Sequence, residues 1–173
     1  MMAKIKALWQ KYREVLMYLI FGVLTTVVGF GVYYAVLLGG RVLFGIPAEE
    51  TTSARYFALY TAAQILQWVC AVLFAFFTNR AWVFTEAEKS TSLWKQLLPF
   101  AGGRLVTLGL DYVITFGLTL GLGAFLPAWE NAVLLGKPVN LCELASKVVA
   151  AVVVIVANYV ISKLFVFKNK KEK

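Results

Sequence analysis

The sequence predicts an all-α polytopic membrane protein of four transmembrane helices, built as two parallel two-helix repeats with both termini cytoplasmic. Three observations carry that expectation. Of the 173 residues, 61% are hydrophobic and 15% charged, whereas soluble chains run at about 45–50% apolar and roughly 25% charged. Four charge-poor runs each exceed the roughly 20 residues needed to cross a bilayer. A span-ending motif also recurs 83 residues along the chain. The composition excludes a globular soluble enzyme, a disordered tail and a secreted disulfide scaffold, and leaves little chain for a separate soluble domain.

Residues 1–14 come first, as an amphipathic cytoplasmic segment. Lys4, Lys6, Lys11 and Arg13 alternate there with Ile5, Leu8, Trp9 and Tyr12, a spacing that suits a short helix lying on the membrane surface. Span one covers about 15–40. Its basic lead resembles a signal peptide, but the apolar run is too long and no small-x-small cleavage site follows. A polar connection from Arg41 to Arg55 contains Gly45, Pro47, Glu49 and Glu50. Span two is about 56–79, and residues 80–95 form a charged loop and the start of a helix. Span three, about 97–126, is interrupted by Arg104 and Asp111. Pro127 to Asn140 turns the chain into span four, about 141–167, which completes the membrane domain of 15–167. Residues 168–173 form a basic cytoplasmic tail.

Charge orients these spans. All but four of the 17 Lys+Arg fall on the N-terminal segment, the middle loop region and the C-terminal end, the four being Arg41, Arg55, Lys137 and Lys147. Basic residues collect on the cytoplasmic side, which places both termini and the middle loop there. The same fact explains a net charge of +8 without nucleic acid. In the repeat, AFFTNRAWVF at 75–84 aligns with NYVISKLFVF at 158–167, so Arg80 falls on Lys163 and Phe84 on Phe167. Basic and aromatic residues anchor any cytoplasmic helix end, but the same 83-residue shift also places Gln64 on Lys147 and Ala75 on Asn158, which favours duplication. Two spans per half return the chain to its starting side, so the halves are parallel.

Helical spacing then sorts the polar residues. Arg104, Thr107, Asp111, Thr115 and Thr119 share one face of span three. Glu143, Lys147, Ala150, Ala151, Val154 and Asn158 share one of span four. Span two offers Gln64, Gln67, Ala71, Ala75 and Thr78; span one offers Gly22, Thr25, Thr26, Gly29 and Tyr33. Close packing of small residues suffices to explain spans one and two. It explains the charges less well, because an ionised Asp at a span centre costs about 2.5–3.5 kcal/mol on insertion scales. Asp111, two turns from Arg104, either pairs with Arg104 or a neighbour, or serves a polar pathway with Asn158 at similar depth. Arg80 and Lys163 stand at or just below that level, and together with Arg104 they make a cationic inner mouth with one buried carboxylate. Lys147 lies about 24 Å along a helix from Lys163, so one of the two is inside the apolar slab. Either Lys147 snorkels and pairs with Glu143, or it offers an anion site from the outer side.

Two cysteines at different depths, Cys70 and Cys142, and the absence of histidine argue against a disulfide, a metal site or a neutral-pH base. No cofactor motif, P-loop or HExxH is present, and Glu86 and Glu88 read as solvated loop charges. A transporter is expected, without catalytic residues.

At this point the residues resemble the GtrA-like family of small four-span membrane proteins. The resemblance rests on F-x-x-N-R-x-W-V-F (Phe76, Asn79, Arg80, Trp82, Val83, Phe84), on N-Y-x-x-x-K-x-F-V-F (Asn158, Tyr159, Lys163, Phe165, Val166, Phe167), on YLIFGVLTT at 18–26 and on A-S-K at 145–147. It covers about 15–167. It implies translocation of a polyprenyl-phosphate-linked monosaccharide across the bacterial cytoplasmic membrane for polysaccharide or teichoic acid glycosylation. The partners it implies are that lipid, the surrounding membrane lipids and a cytoplasmic-side glycosyltransferase. Four spans are few for a sealed path, so a homo-oligomer is expected as well. Arg104, Lys147, Arg80 and Lys163 become the phosphate and head-group residues, and Asp111, Asn158, Asn79, Gln64 and Glu143 the polar pathway. Ala75 and the pair Phe30 and Gly31 depart from the family pattern, which puts the first-half polar layer in question. Two other readings stay open: a non-transporting partner that recruits the transferase, and an antiporter using Asp111 as proton carrier.

Overall fold

A chain crossing lipid must satisfy its own backbone groups, which a helix does within one segment. In the computed structural model, four helices among the described residues are long and apolar enough to cross a membrane. The structure describes residues 2–47, 50–85, 87, 92–130, 132–134 and 137–167, without the side chains of 2–10, 134, 137 and 138. The expectations placed on Glu49, Glu86, Glu88, Lys89, the tail and the side chains of the amphipathic lead through residue 10 fall outside that range. The chain divides into two units, Met1–Ala87 and Glu88–Lys173.

In the first unit α1 spans Met2–Phe44, so one helix carries both the charged lead and the apolar span. It stops at Gly45, whose φ of +59° lies in the left-handed region open to glycine. There Ile46 N donates to Arg41 O at 2.9 Å and Gly45 N to Val42 O at 3.4 Å, the paired bonds that close a helix C-terminus. The Arg41 guanidinium stacks on the Tyr56 ring at 4.6 Å and donates to the Pro47 and Glu50 carbonyls, fixing the connection. The Ser53 hydroxyl, followed by Arg55, holds the Glu50 carboxyl below its ordinary range. Ser53 Oγ also accepts from Tyr56 N at 3.1 Å, capping α2, Ala54–Thr78. Leu37, Ile46, Leu59 and Ala63 form the apolar core at this end of the pair.

At its far end α2 widens into one π turn, Asn79–Val83. Arg13 donates to Trp82 O at 3.2 Å and to Thr85 Oγ1 at 3.4 Å, a cation where a helix C-terminus leaves carbonyls unpaired. Phe21 stacks on Trp82 at 5.3 Å.

In the second unit α3 is Leu93–Phe125, with Pro99 inside it. A short 3-10 turn, Pro127–Trp129, leads to an antiparallel hairpin, β1 (Ala132–Leu134) paired with β2 (Lys137–Val139). Asn140 Oδ1 accepts from Glu143 N at 3.0 Å and starts α4, Leu141–Ile161. Helix α4 runs antiparallel to α3. A Cβ added at Gly103 would lie 2.8 Å from Ile161 Cγ2, so the absence of a side chain lets the two helices touch. A second π turn, Ser162–Val166, ends α4.

The two π turns show how far the repeat extends. Phe84 N donates to Asn79 O at 2.8 Å, and Phe167 N to Ser162 O at 2.8 Å; both pairs sit 83 residues apart. Within its own unit each terminal Phe then packs on the first helix, Phe84 against Tyr18 at 6.4 Å and Phe167 against Phe100 at 6.0 Å. Helical periodicity cannot distinguish a π turn from an α turn, so the sequence shows the repeat and not this geometry.

Candidate functional site

In the second unit the polar face of α3 meets α4 in layers. The contacts Gly103 to Ile161 and Thr107 to Asn158 set the antiparallel register. Thr107 Oγ1 lies 2.9 Å from Asn158 Oδ1, to which it donates, and both side chains are buried. One turn further along α3, Lys147 Nζ donates to Asp111 Oδ2 at 2.9 Å. Counting from the Thr107–Asn158 contact puts Asp111 opposite Val154 and the Lys147 backbone opposite Leu118. The two backbone positions are thus offset by about 10 Å along the helix axis, seven residues at 1.5 Å each, a gap that the lysine, the aspartate and the bond between them span together. Ala150, fully buried one turn from Lys147, lets the helices approach closely enough for that reach.

This geometry shows which partner each charge takes. Asp111 pairs with Lys147. Among the described residues Arg104 makes no ion pair, and its guanidinium lies 5.1 Å over the Phe100 ring. Lys147 turns along the span toward the carboxylate and not toward Glu143, whose side chain is exposed. The reason is physical. Inside an apolar slab each lone charge is costly, and a hydrogen-bonded partner across the helix pair removes most of that cost. The pair keeps access nonetheless, the lysine side chain being 51% exposed and the aspartate 25%. Lys163, in the π turn of α4, donates to Tyr159 Oη at 3.1 Å and lies over that ring, a partner readable from its i, i+4 spacing.

The first unit, taken by itself, is also a helix pair ending in a π turn, and it keeps that turn's cation, Arg80, but has no counterpart of the Asp111–Lys147 pair. Offsets of 82 residues in the first helix and 83 in the second put Gly29 where Asp111 stands, Gln64 for Lys147 and Ala75 for Asn158. Gly29 sits within 3.6–3.7 Å of Gln67 and Ala71 for a would-be Cβ, an apolar close approach. Gln64 Nε2 donates to Tyr60 Oη at 2.9 Å, and Thr25, the counterpart of Thr107, donates to Phe21 O of its own helix at 2.7 Å. Asn79 is buried in its π turn, with Oδ1 lacking a partner among the described residues; Arg80 follows it in the same turn. The expected site residues thus sort by unit: Arg104, Asp111, Glu143, Lys147, Asn158 and Lys163 in the second, Gln64, Asn79 and Arg80 in the first. Thr107 as the partner of Asn158 is the member that helical spacing placed on the right face but could not assign.

With this arrangement in view, the relatives are informative. The sequence matches the GtrA/DPMS transmembrane-domain family over residues 17–167. It is 32% identical over 157 residues to the uncharacterized membrane protein YwcD of Bacillus subtilis (strain 168), covering 90% of this chain and 98% of that one. It is 34% identical over 116 residues to the cell wall teichoic acid glycosylation protein GtcA of Listeria innocua, covering 65% of this chain and 66% of that one. The GtcA of Listeria monocytogenes serovar 1/2a is 33% identical over the same length. No solved structure matches significantly. With the family covering all four spans and the relatives aligned across most of them, the chain is a multi-pass membrane protein that belongs to the GtrA/DPMS transmembrane-domain family.

Proposed function

We propose that this protein moves a polyprenyl-phosphate-linked monosaccharide from the cytoplasmic to the outer leaflet of the bacterial cytoplasmic membrane, supplying glycosylation of a cell-surface polysaccharide or teichoic acid. The observation that carries the proposal is the Lys147–Asp111 pair, 2.9 Å apart on the facing sides of two apolar spans. Its isoprenoid keeps such a substrate in the bilayer, so only its head needs a polar path. A lysine already inside the slab offers charge-assisted hydrogen bonds to a phosphate, and the aspartate it releases accepts from sugar hydroxyls. The buried Thr107–Asn158 layer offers neutral hydrogen bonding one turn away, and Arg104 the next cation along α3. In the proposed orientation, with both termini cytoplasmic, Arg104, Arg80 and Lys163 stand on the entry side and Lys147 deeper. Mutual neutralisation of Lys147 and Asp111 keeps the empty path from carrying a lone charge. The GtcA relatives are named for cell wall teichoic acid glycosylation, and a substrate of that chemistry is consistent with those names.

Purified protein in vesicles loaded with polyprenyl-phosphate glucose tests the reading. Lys147→Ala and Arg104→Ala are each expected to slow head-group movement by about ten-fold or more, the value of one charge-assisted hydrogen bond, while inserting normally. Wild-type rates in both variants would remove the site assignment. Movement that starts only when a glycosyltransferase is added would favour the partner role.

A further inference from the structure

Among the described residues most hydroxyls within the helices find a partner, and two buried ones do not. A threonine or serine inside a helix ordinarily donates to the carbonyl four residues back. Thr26, Thr61, Thr78 and Ser146 do so at 3.2, 2.8, 2.8 and 2.6 Å, as Thr25 does, and Thr107 bonds Asn158. Thr115 and Thr119 do not: the Oγ1 atoms of both are buried and have no hydrogen-bond partner among the described residues. Thr115 is 8% exposed. A buried hydroxyl left unpaired costs about 1–3 kcal/mol, and folding alone gives no reason to keep two of them one turn apart.

Their position supplies a reason. Thr115 and Thr119 continue the Asp111 face of α3, four and eight residues on, and the register puts the Lys147 backbone opposite Leu118. By that count Thr115 lies between Asp111 and the level of the Lys147 backbone, and Thr119 just beyond that level. Their β-carbons are about 5–6 Å apart, as for any i, i+4 pair, a separation that suits two hydroxyls of one sugar ring. We infer that Thr115 and Thr119 form a sugar-binding subsite beside the Lys147 phosphate position, reading the hydroxyls of a monosaccharide that travels attached to that phosphate. Each threonine hydroxyl can donate and accept, as can each sugar hydroxyl, so one ring satisfies both orphaned groups. Asp111, freed from the lysine, accepts from the same head group.

This inference rests on the proposed transport of a phosphate-linked sugar, and its test separates the two. Binding of farnesyl phosphate and of farnesyl-phosphate glucose to the purified, detergent-solubilised protein is measured for wild type, Thr115→Val, Thr119→Val, the double valine variant and Thr115→Ser. The wild type should bind the glucosylated lipid more tightly. Each valine should weaken that lipid by about five- to ten-fold and leave the bare phosphate unchanged, while Thr115→Ser keeps the preference and Lys147→Ala weakens both lipids. A structural role would show as lower thermal stability. Here valine removes an unpaired buried hydroxyl at constant volume, so the variants should melt at or above the wild-type temperature. A double valine variant that still prefers the glucosylated lipid overturns the subsite and leaves transport standing. A wild type that binds neither lipid overturns both.

Discussion

Lys147 and Asp111 carry most of the account at the level of single residues. Removing one partner leaves the other charged within an apolar span. The pair is partly exposed, so Asp111→Asn or Lys147→Gln alone should cost about 1–3 kcal/mol, below the figure for a fully buried pair. The double variant Asp111→Asn/Lys147→Gln should recover much of that stability and still fail to move the head group. Thermal unfolding in detergent beside vesicle transport checks this; full transport by the double variant would make the pair a packing device. Both charges were legible in the sequence as residues costly to place within a span. Their pairing was not. Sequence spacing measures distance along one helix, and Arg104 and Glu143 are the neighbours it proposes. The contact across two helices depends on their register, which Gly103 against Ile161 and Thr107 against Asn158 establish in three dimensions.

Helices and turns show the same division. Four long apolar runs announced four helices, and Ser53, Gly45 and Asn140 mark local starts and stops that follow from capping chemistry. The continuity of α1 through the charged lead is different: a helix carries polar and apolar stretches on one backbone, and composition marks where lipid begins, not where the helix does. The π turns at Asn79–Val83 and Ser162–Val166 were visible only as a recurring motif. Close contact between α3 and α4 is what holds Lys147 within reach of Asp111, and it depends on Gly103. Gly103→Val should drive Ile161 away and lower stability by about 1–3 kcal/mol, with transport falling in parallel; Gly102→Ala, whose added Cβ meets nothing within 4 Å, should leave both unchanged. Equal tolerance of the two substitutions would show that the close approach is unimportant.

Across the whole chain, the repeat has kept its helix pair, π turn and the turn's cation, Arg80 or Lys163, in both units, and the Asp111–Lys147 pair in one. Gly29, Gln64 and Ala75 stand in the first unit where Asp111, Lys147 and Asn158 stand in the second, so Gln64→Ala should transport nearly as wild type while Lys147→Ala should not. Orientation is open to an independent check. With Cys70 and Cys142 replaced by serine, a cysteine at exposed Glu130 should react with an impermeant maleimide on intact cells, and one at exposed Thr85 only after permeabilisation; the reverse pattern would invert the proposed direction. The central claim is that this chain by itself carries the lipid-linked head group across a bilayer. Its most direct test is the rate at which polyprenyl-phosphate glucose becomes accessible to an external periodate probe in vesicles containing only the purified wild-type protein. A rate well above that of protein-free vesicles is expected. A rate equal to theirs, in protein shown to be folded and inserted, would contradict it.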